Sequence, residues 1–263
     1  MSENLSVNSP KKPLWARLAR GLGLSAWLVT GLLGISSLLL IVFIMAVPHE
    51  TAQYLTTSTI GQLLLNALLY LIAVLVVIGV PYWFVRYVLR KPQEEGKTRR
   101  TLGIDRPLRW RNLGLLAVCF VGYFATTLVF SALATLLPWF DATEVQDVGF
   151  KNLTGASDLI LAFVALVVLP PIAEELLFRG YLFGKLRAQN GFWISTIITS
   201  LLFGLVHLQW NVGVDTFVLS IFLCILREKT GSLWTSMILH GLKNGVAYFF
   251  LFIAPLLGIH LIQ

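Results

Sequence analysis

Glu174, Glu175, Arg179, His207, His240 and Lys243 all lie inside long apolar runs of this 263-residue sequence. An ionisable group at the centre of a membrane helix costs about 2.5–3.5 kcal/mol, so each such residue marks a functional site by default. Glu175 and Arg179 are spaced i,i+4, the spacing of a helical ion pair. Glu174 points about 100° away around the same helix. It is left without a helical partner, as a general base would be. Pro170-Pro171 removes two backbone donors and predicts a break just before the pair that lets water in.

Two further pairs share helix faces. Phe203 and His207 stand at i,i+4, so the phenyl ring can pack the imidazole and fix its rotamer. His240 and Asn244 have the same spacing, and an imidazole N–H beside an amide NH₂ suits an oxyanion. Lys243 falls on a different face, where its stem can snorkel, and takes no role. Each cluster also has a structural alternative: an inter-helix ion-pair node at Glu175–Arg179, a packing histidine at His207, and polar glue at His240 and Asn244.

The elements that carry these residues must be membrane helices. The chain is 57% hydrophobic and 13% charged, with mean hydropathy +0.79. A soluble domain carries about 25% charged residues. The sequence therefore predicts an all-α, polytopic transmembrane helical bundle. Apolar runs place seven spans at 22–47, 61–85, 113–138, 158–183, 192–209, 214–227 and 232–254. The sixth is short and expected to cross only where the bundle thins the bilayer. The tail 256–263 extends the last helix or adds an eighth segment. Cys119 and Cys224 lie in apolar runs and read as small buried hydrophobes.

Loop charge sets the orientation. Residues 86–111 hold nine basic and three acidic side chains, whereas 138–158 hold Asp141, Glu144, Asp147 and Asp158 against Lys151. The first of these loops is expected in the cytoplasm and the second outside, with the N-terminus inside an inner (cell) membrane. The net charge of +7 then meets anionic lipid rather than nucleic acid. Lys185, Arg187, Arg227 and Lys229 form a basic cytoplasmic rim, the expected entrance for water. Three regions are expected: a tail over 1–20, three N-terminal helices over 21–157 and a catalytic core over 158–263. Counted from the cytoplasmic ends, Glu174 and His240 both lie about 16 Å deep, near mid-membrane, while His207 at about 24 Å fits less well.

Glu174-Glu175-x-x-x-Arg179, Phe203-x-x-x-His207 and His240-x-x-x-Asn244, with Gly231-Ser232-Leu233-Trp234 leading into the last helix, together resemble the signature of CPBP intramembrane proteases. That family includes type II CAAX prenyl proteases and the Abi or lysostaphin-resistance-A-like proteins. The resemblance covers about Asp158 to Phe250. It implies an endopeptidase acting on a membrane-associated peptide or protein, in CAAX-type or bacteriocin-type processing. Glu174 with His207 would activate a water, His240 and Asn244 would hold the oxyanion, and Glu175, Arg179 and Phe203 would support them. Glu, His and His could also ligate zinc. No single helix supplies two ligands and a base as in HExxH, which favours catalysis without a cofactor. Two other functions compete: a non-catalytic immunity or binding protein on the same fold, and a small transporter using Glu and His as a relay. Substrate and oligomeric state are not legible in the sequence.

Overall fold

The computed structural model describes residues 13–90, 97–138, 140–142, 144, 148, 150, 153 and 155–259. Lys11, Lys12, Asp147, Lys151 and residues 260–263, which entered the charge and tail expectations, lie outside the described residues. The described chain is helical and contains no strand. Six helices are long and apolar enough to cross a membrane: α1 (Leu14–Ala46), α3 (Thr59–Val88), α5 (Trp110–Ala134), α6 (Ala156–Arg187), α8 (Trp210–Thr230) and α9 (Leu233–Leu256). A shorter apolar helix, α7 (Phe192–Leu205), completes the bundle. Two short helices, α2 (His49–Thr57) and α4 (Lys97–Leu102), lie in connections.

The short membrane helix is therefore the fifth and not the sixth. The apolar run Phe192–Leu208 is continuous in sequence, but the helix stops at Leu205 and the chain turns through Leu208, whose φ is +56°. The next helix begins at once at Trp210 and runs 21 residues to Thr230. Close approach makes the hairpin possible: a Cβ on Gly204 would lie 2.7 Å from the Gly213 carbonyl oxygen. No eighth membrane segment forms within the described tail, where the last helix ends at Leu256.

α6 and α8 are the inner helices. α6 packs against α1, α3, α4, α7, α8 and α9. Leu177, Phe178, Leu182 and Leu186 of α6 meet Leu219, Leu223 and Leu226 of α8 and Leu239 of α9 in one buried cluster. Outward leucines and isoleucines such as Leu38, Ile41, Leu64, Leu71, Leu128 and Ile197 remain exposed, as helices solvated by lipid require. The end of the bundle that holds the basic residues is plugged by α4 and the loop after it. Gly180 and Gly184 let α4 lie against α6: a Cβ on Gly180 would stand 3.1 Å from Leu102, and one on Gly184 3.1 Å from the Thr101 carbonyl. Ser232 donates to the Arg106 carbonyl (2.6 Å) and Trp234 to the Ile104 carbonyl (3.2 Å), tying the loop to the start of α9.

α6 does not break at Pro170-Pro171. It continues through a π-helical turn over Val164–Val168. In an α-helix the Leu166 carbonyl would accept from residue 170, and in a π-helix from residue 171; neither proline has an N–H. The orphaned carbonyl is taken by Asn244 Nδ2 of α9 at 3.0 Å. One turn further on, the expected ion pair forms: Arg179 Nη1 donates to Glu175 Oε1 at 2.8 Å, with both side chains 0% exposed.

Two outcomes follow from this packing. Asp105→Cys and Ala142→Cys, both exposed positions, should react with impermeant thiol reagents from opposite sides of the membrane, Asp105→Cys from the cytoplasm. The native Cys119 and Cys224 are buried and should stay silent. External labelling of Asp105→Cys would invert the topology. Glu175→Gln leaves a buried guanidinium unpaired and should lower stability by about 3–5 kcal/mol, read as a depressed melting midpoint in detergent. The double change Glu175→Leu/Arg179→Met should recover much of that loss, whereas a double variant as unstable as the single one would show that the pair contributes more than charge compensation.

Candidate active site

Adjacent residues on α6 meet opposite fates. Glu175 is fully enclosed, whereas the Glu174 side chain keeps 15% exposure. Glu174 lines a cavity of about 240 Å³ together with His207, His240 and Asn244. The four sequence-expected residues thus meet at one cavity, although they come from three separate helical segments. The same cavity is lined by Tyr70 of α3, Thr216 of α8 and Lys243 of α9.

His240 stands between the two carboxylates. Its Nδ1 is 3.0 Å from Glu175 Oε1, and its Nε2 is 3.8 Å from Glu174 Oε2. Because Glu175 can only accept, Nδ1 carries a hydrogen and Nε2 is the edge turned toward Glu174. Phe203 supports both imidazoles. Its ring lies edge-to-face with His207 (centroids 5.1 Å apart, 77°) and with His240 (5.7 Å, 87°). The Arg179 guanidinium stacks on the same ring at 4.2 Å. Such a contact compensates part of the charge of Arg179, whose Nε and Nη2 are buried without hydrogen-bond partners.

His207 lies just past the end of α7, where the backbone carbonyls lack helical partners. Its Nδ1 donates to the Phe203 carbonyl at 2.6 Å. That bond fixes the tautomer, so the neutral ring leaves Nε2 as an acceptor. Thr216 Oγ lies 3.4 Å from Nδ1 and donates more closely to the Val212 carbonyl at 2.7 Å. His207 lies in the turn beyond Leu205 and lines the same cavity as Glu174 and His240, although α7 alone rises about 21 Å before it. Asn244 spends one amide hydrogen on Leu166 and retains a second.

Three features escaped the sequence reading. Tyr70 OH donates to Glu174 Oε1 at 2.7 Å, so the N-terminal helices reach the site. Asp215, near the start of α8, was not counted among the intramembrane charges; it accepts from Tyr123 OH through Oδ1 and pairs with Lys243 Nζ through Oδ2 at 3.0 Å. Lys243 consequently faces the same cavity as His240 and Asn244, with 18% of its side chain exposed, instead of pointing away. Gln62, Asn66 and Tyr70 recur every four residues on α3, a polar stripe that the search for charges passed over.

Among the described residues no three or more His, Cys, Asp or Glu side chains are grouped to hold a metal ion. His207 Nδ1 and His240 Nδ1 are committed to a carbonyl and a carboxylate, and Glu175 to Arg179.

Comparison with known proteins points to the same segment. Residues 156–246 match the family of type II CAAX prenyl endopeptidase Rce1-like proteins. A 24.3 kDa Escherichia coli protein, itself uncharacterized, is 30% identical over 133 residues, 49% of this chain and 57% of the relative. The Lactococcus lactis protein YxdF is 28% identical over 105 residues, 39% of this chain and 57% of its own length. A Bacillus subtilis protein named as a candidate membrane peptidase, YdiL, is 26% identical over 98 residues, 36% of this chain and 40% of its own. The chain thus matches between 40% and 57% of the length of these relatives. No solved structure matches. Across residues 156–246 this chain is similar to the Rce1-like family of type II CAAX prenyl endopeptidases.

Proposed function

We propose that the chain is an intramembrane endopeptidase that hydrolyses a peptide bond in a membrane-associated protein or peptide, through a water activated by Glu174. The observation that carries this reading is the asymmetry of the two glutamates. Glu175 is spent on Arg179 and His240, while Glu174 faces a cavity that holds a second histidine and an amide.

In the reaction the water gives a proton to Glu174, its oxygen bonds to the scissile carbonyl carbon, and the carbonyl oxygen becomes an oxyanion. His207 Nε2, the free acceptor of its ring, orients the water. The remaining Asn244 N–H faces the oxyanion, and His240 Nε2 joins it as a donor in the imidazolium form, with Nδ1 still held by Glu175; donors aimed at developing charge in a water-poor site are worth far more than in bulk water. On collapse the C–N bond breaks and Glu174 hands its proton to the leaving nitrogen. One carboxylate and one amine are released. Tyr70 holds Glu174 Oε1, which leaves Oε2 as the working oxygen. CAAX-type and bacteriocin-type precursors are the substrate classes that fit a site inside a membrane bundle of this family.

The purified chain in detergent should cleave a quenched, farnesylated CAAX-type peptide or a hydrophobic leader peptide. Glu174→Gln should reduce turnover by about 10²–10⁴-fold at unchanged expression and melting behaviour. Tyr70→Phe should cost about tenfold, as loss of one hydrogen bond to a charged group does. Undiminished cleavage by Glu174→Gln, or no cleavage of either peptide by the wild type, would remove the assignment.

A further inference from the structure

Glu174 and His207 are shared by two cavities. One, of about 240 Å³, is lined by His240, Lys243 and Asn244 and is the one assigned above to the peptide carbonyl. The other, of about 270 Å³, lies against α1 and α3 and is lined by Ser37, Asn66, Tyr70, Glu174 and His207 among apolar neighbours. Tyr70, Glu174 and His207 form the wall common to both.

Two polar groups of the second cavity, those of Ser37 and Asn66, are left over once Tyr70 has bonded Glu174 and His207 the Phe203 carbonyl. Ser36 donates to the Gly31 carbonyl at 2.5 Å, the usual fate of a serine in an apolar helix. Ser37, its neighbour, forms no side-chain hydrogen bond among the described residues, and neither does the Asn66 amide. An amide and a hydroxyl left unpaired in a membrane bundle are costly unless water satisfies them. A cavity that is roomy and offers several polar partners meets the conditions for holding water.

The cavity also lies at a definite end of the bundle. By helical rise Asn66 is about 10 Å from the Thr59 end of α3 and about 33 Å from the Val88 end. Ser37 is about 14 Å from the Ala46 end of α1 and about 35 Å from the Leu14 end. His207 sits in the turn that closes the same end of α7. At the opposite end, where the basic rim was expected to admit water, two of its cations are engaged and a separate cavity of about 190 Å³ is lined by Lys185, Tyr181 and Leu102 without reaching Glu174. Arg187 is paired with Glu228 at 2.8 Å, Arg227 donates to the Thr101 carbonyl at 3.1 Å, and α4 plugs the space beside α6.

We infer that the Ser37–Asn66–Tyr70 cavity is a water-binding site that supplies the hydrolytic water to Glu174, filled from the Thr59 end of α3 and separate from the cavity that holds the peptide. This rests on the hydrolytic reading above for its purpose, but not for its existence. Water and substrate then reach the general base from different sides. A bound peptide does not have to leave to admit the second reactant. Gln62, one turn beyond Asn66 on the same face, extends the polar line toward the entrance.

The test compares Asn66→Cys with Leu64→Cys in the full-length protein in cells and in inverted vesicles. Leu64 is two residues away and 52% exposed on the lipid side. A small cationic methanethiosulfonate reagent should modify Asn66→Cys at least ~10-fold faster than Leu64→Cys, because only a hydrated thiol ionises to react. Modification should come from the side that labels Ala142→Cys. Asn66→Leu should lower kcat with KM unchanged, and Asn66→Ser should retain most of it. The inference is overturned if Asn66→Cys is as inert as Leu64→Cys in a normally eluting protein. Modification only from the Asp105→Cys side, or unaltered kcat in Asn66→Leu, would overturn it equally. If Asn66→Cys reacts as expected but the wild type cleaves no peptide, the water site stands and the hydrolytic reading falls.

Discussion

The buried ion pair between Glu175 and Arg179 is the constraint from which the site is built. Two opposite charges with no solvent exposure are costly inside a membrane bundle unless neighbours compensate them. That compensation recruits the other helices, although Glu175 Oε2 and Arg179 Nε and Nη2 keep no hydrogen-bond partner. Phe203 of α7 offers its ring face to the guanidinium, and His240 of α9 offers Nδ1 to the carboxylate. Phe203 then touches His207 as well. One desolvated pair thus fixes the relative placement of α6, α7 and α9 and the rotamers of both histidines. The geometry of the candidate site is a consequence of neutralising a charge, and the adjacent Glu174 inherits a setting it does not itself stabilise.

Asn244 shows the same economy from the backbone side. Two consecutive prolines leave the Leu166 carbonyl without a donor, and a membrane interior offers no water to replace one. The amide of α9 fills the gap, so a defect in α6 becomes an inter-helix tether next to the reacting groups. This also explains why the helix continues where the two prolines alone predict a break. What breaks an isolated helix is repaired when a neighbouring side chain takes the freed carbonyl.

The sequence made legible whatever depends on local spacing. Membrane helices follow from apolar runs, and the Glu175–Arg179 pair follows from i,i+4 geometry. The meeting of three motifs follows from the cost of leaving charges in lipid. Features set by neighbours were not legible. The stop of α7 at Leu205 comes from the Gly204–Gly213 contact with α8, and an apolar run carries no mark of it. Lys243 looks idle from its spacing because its partner, Asp215, stands on another helix. Tyr70 and Asn66 were missed because they are neutral, although their spacing on α3 was visible. Charge counts at the basic rim also do not reveal that Arg187 is paired with Glu228 and that Arg227 donates to the Thr101 carbonyl.

Hydrolysis inside a membrane poses opposite demands on one small volume. The site must be dry enough that fixed dipoles stabilise an oxyanion strongly, yet it must receive a water for every bond cut. A single open cleft satisfies the second demand at the expense of the first. Here Glu174, the general base we propose, lies in a wall common to two cavities. On that reading the side carrying His240 and Asn244 takes the peptide and is kept dry, while the side carrying Asn66 and Ser37 serves water. The N-terminal helices are then more than an anchor for the motif-bearing core. By contributing Tyr70 to Glu174 and Asn66 to the second compartment, they complete a site whose recognisable motifs all lie elsewhere in the chain.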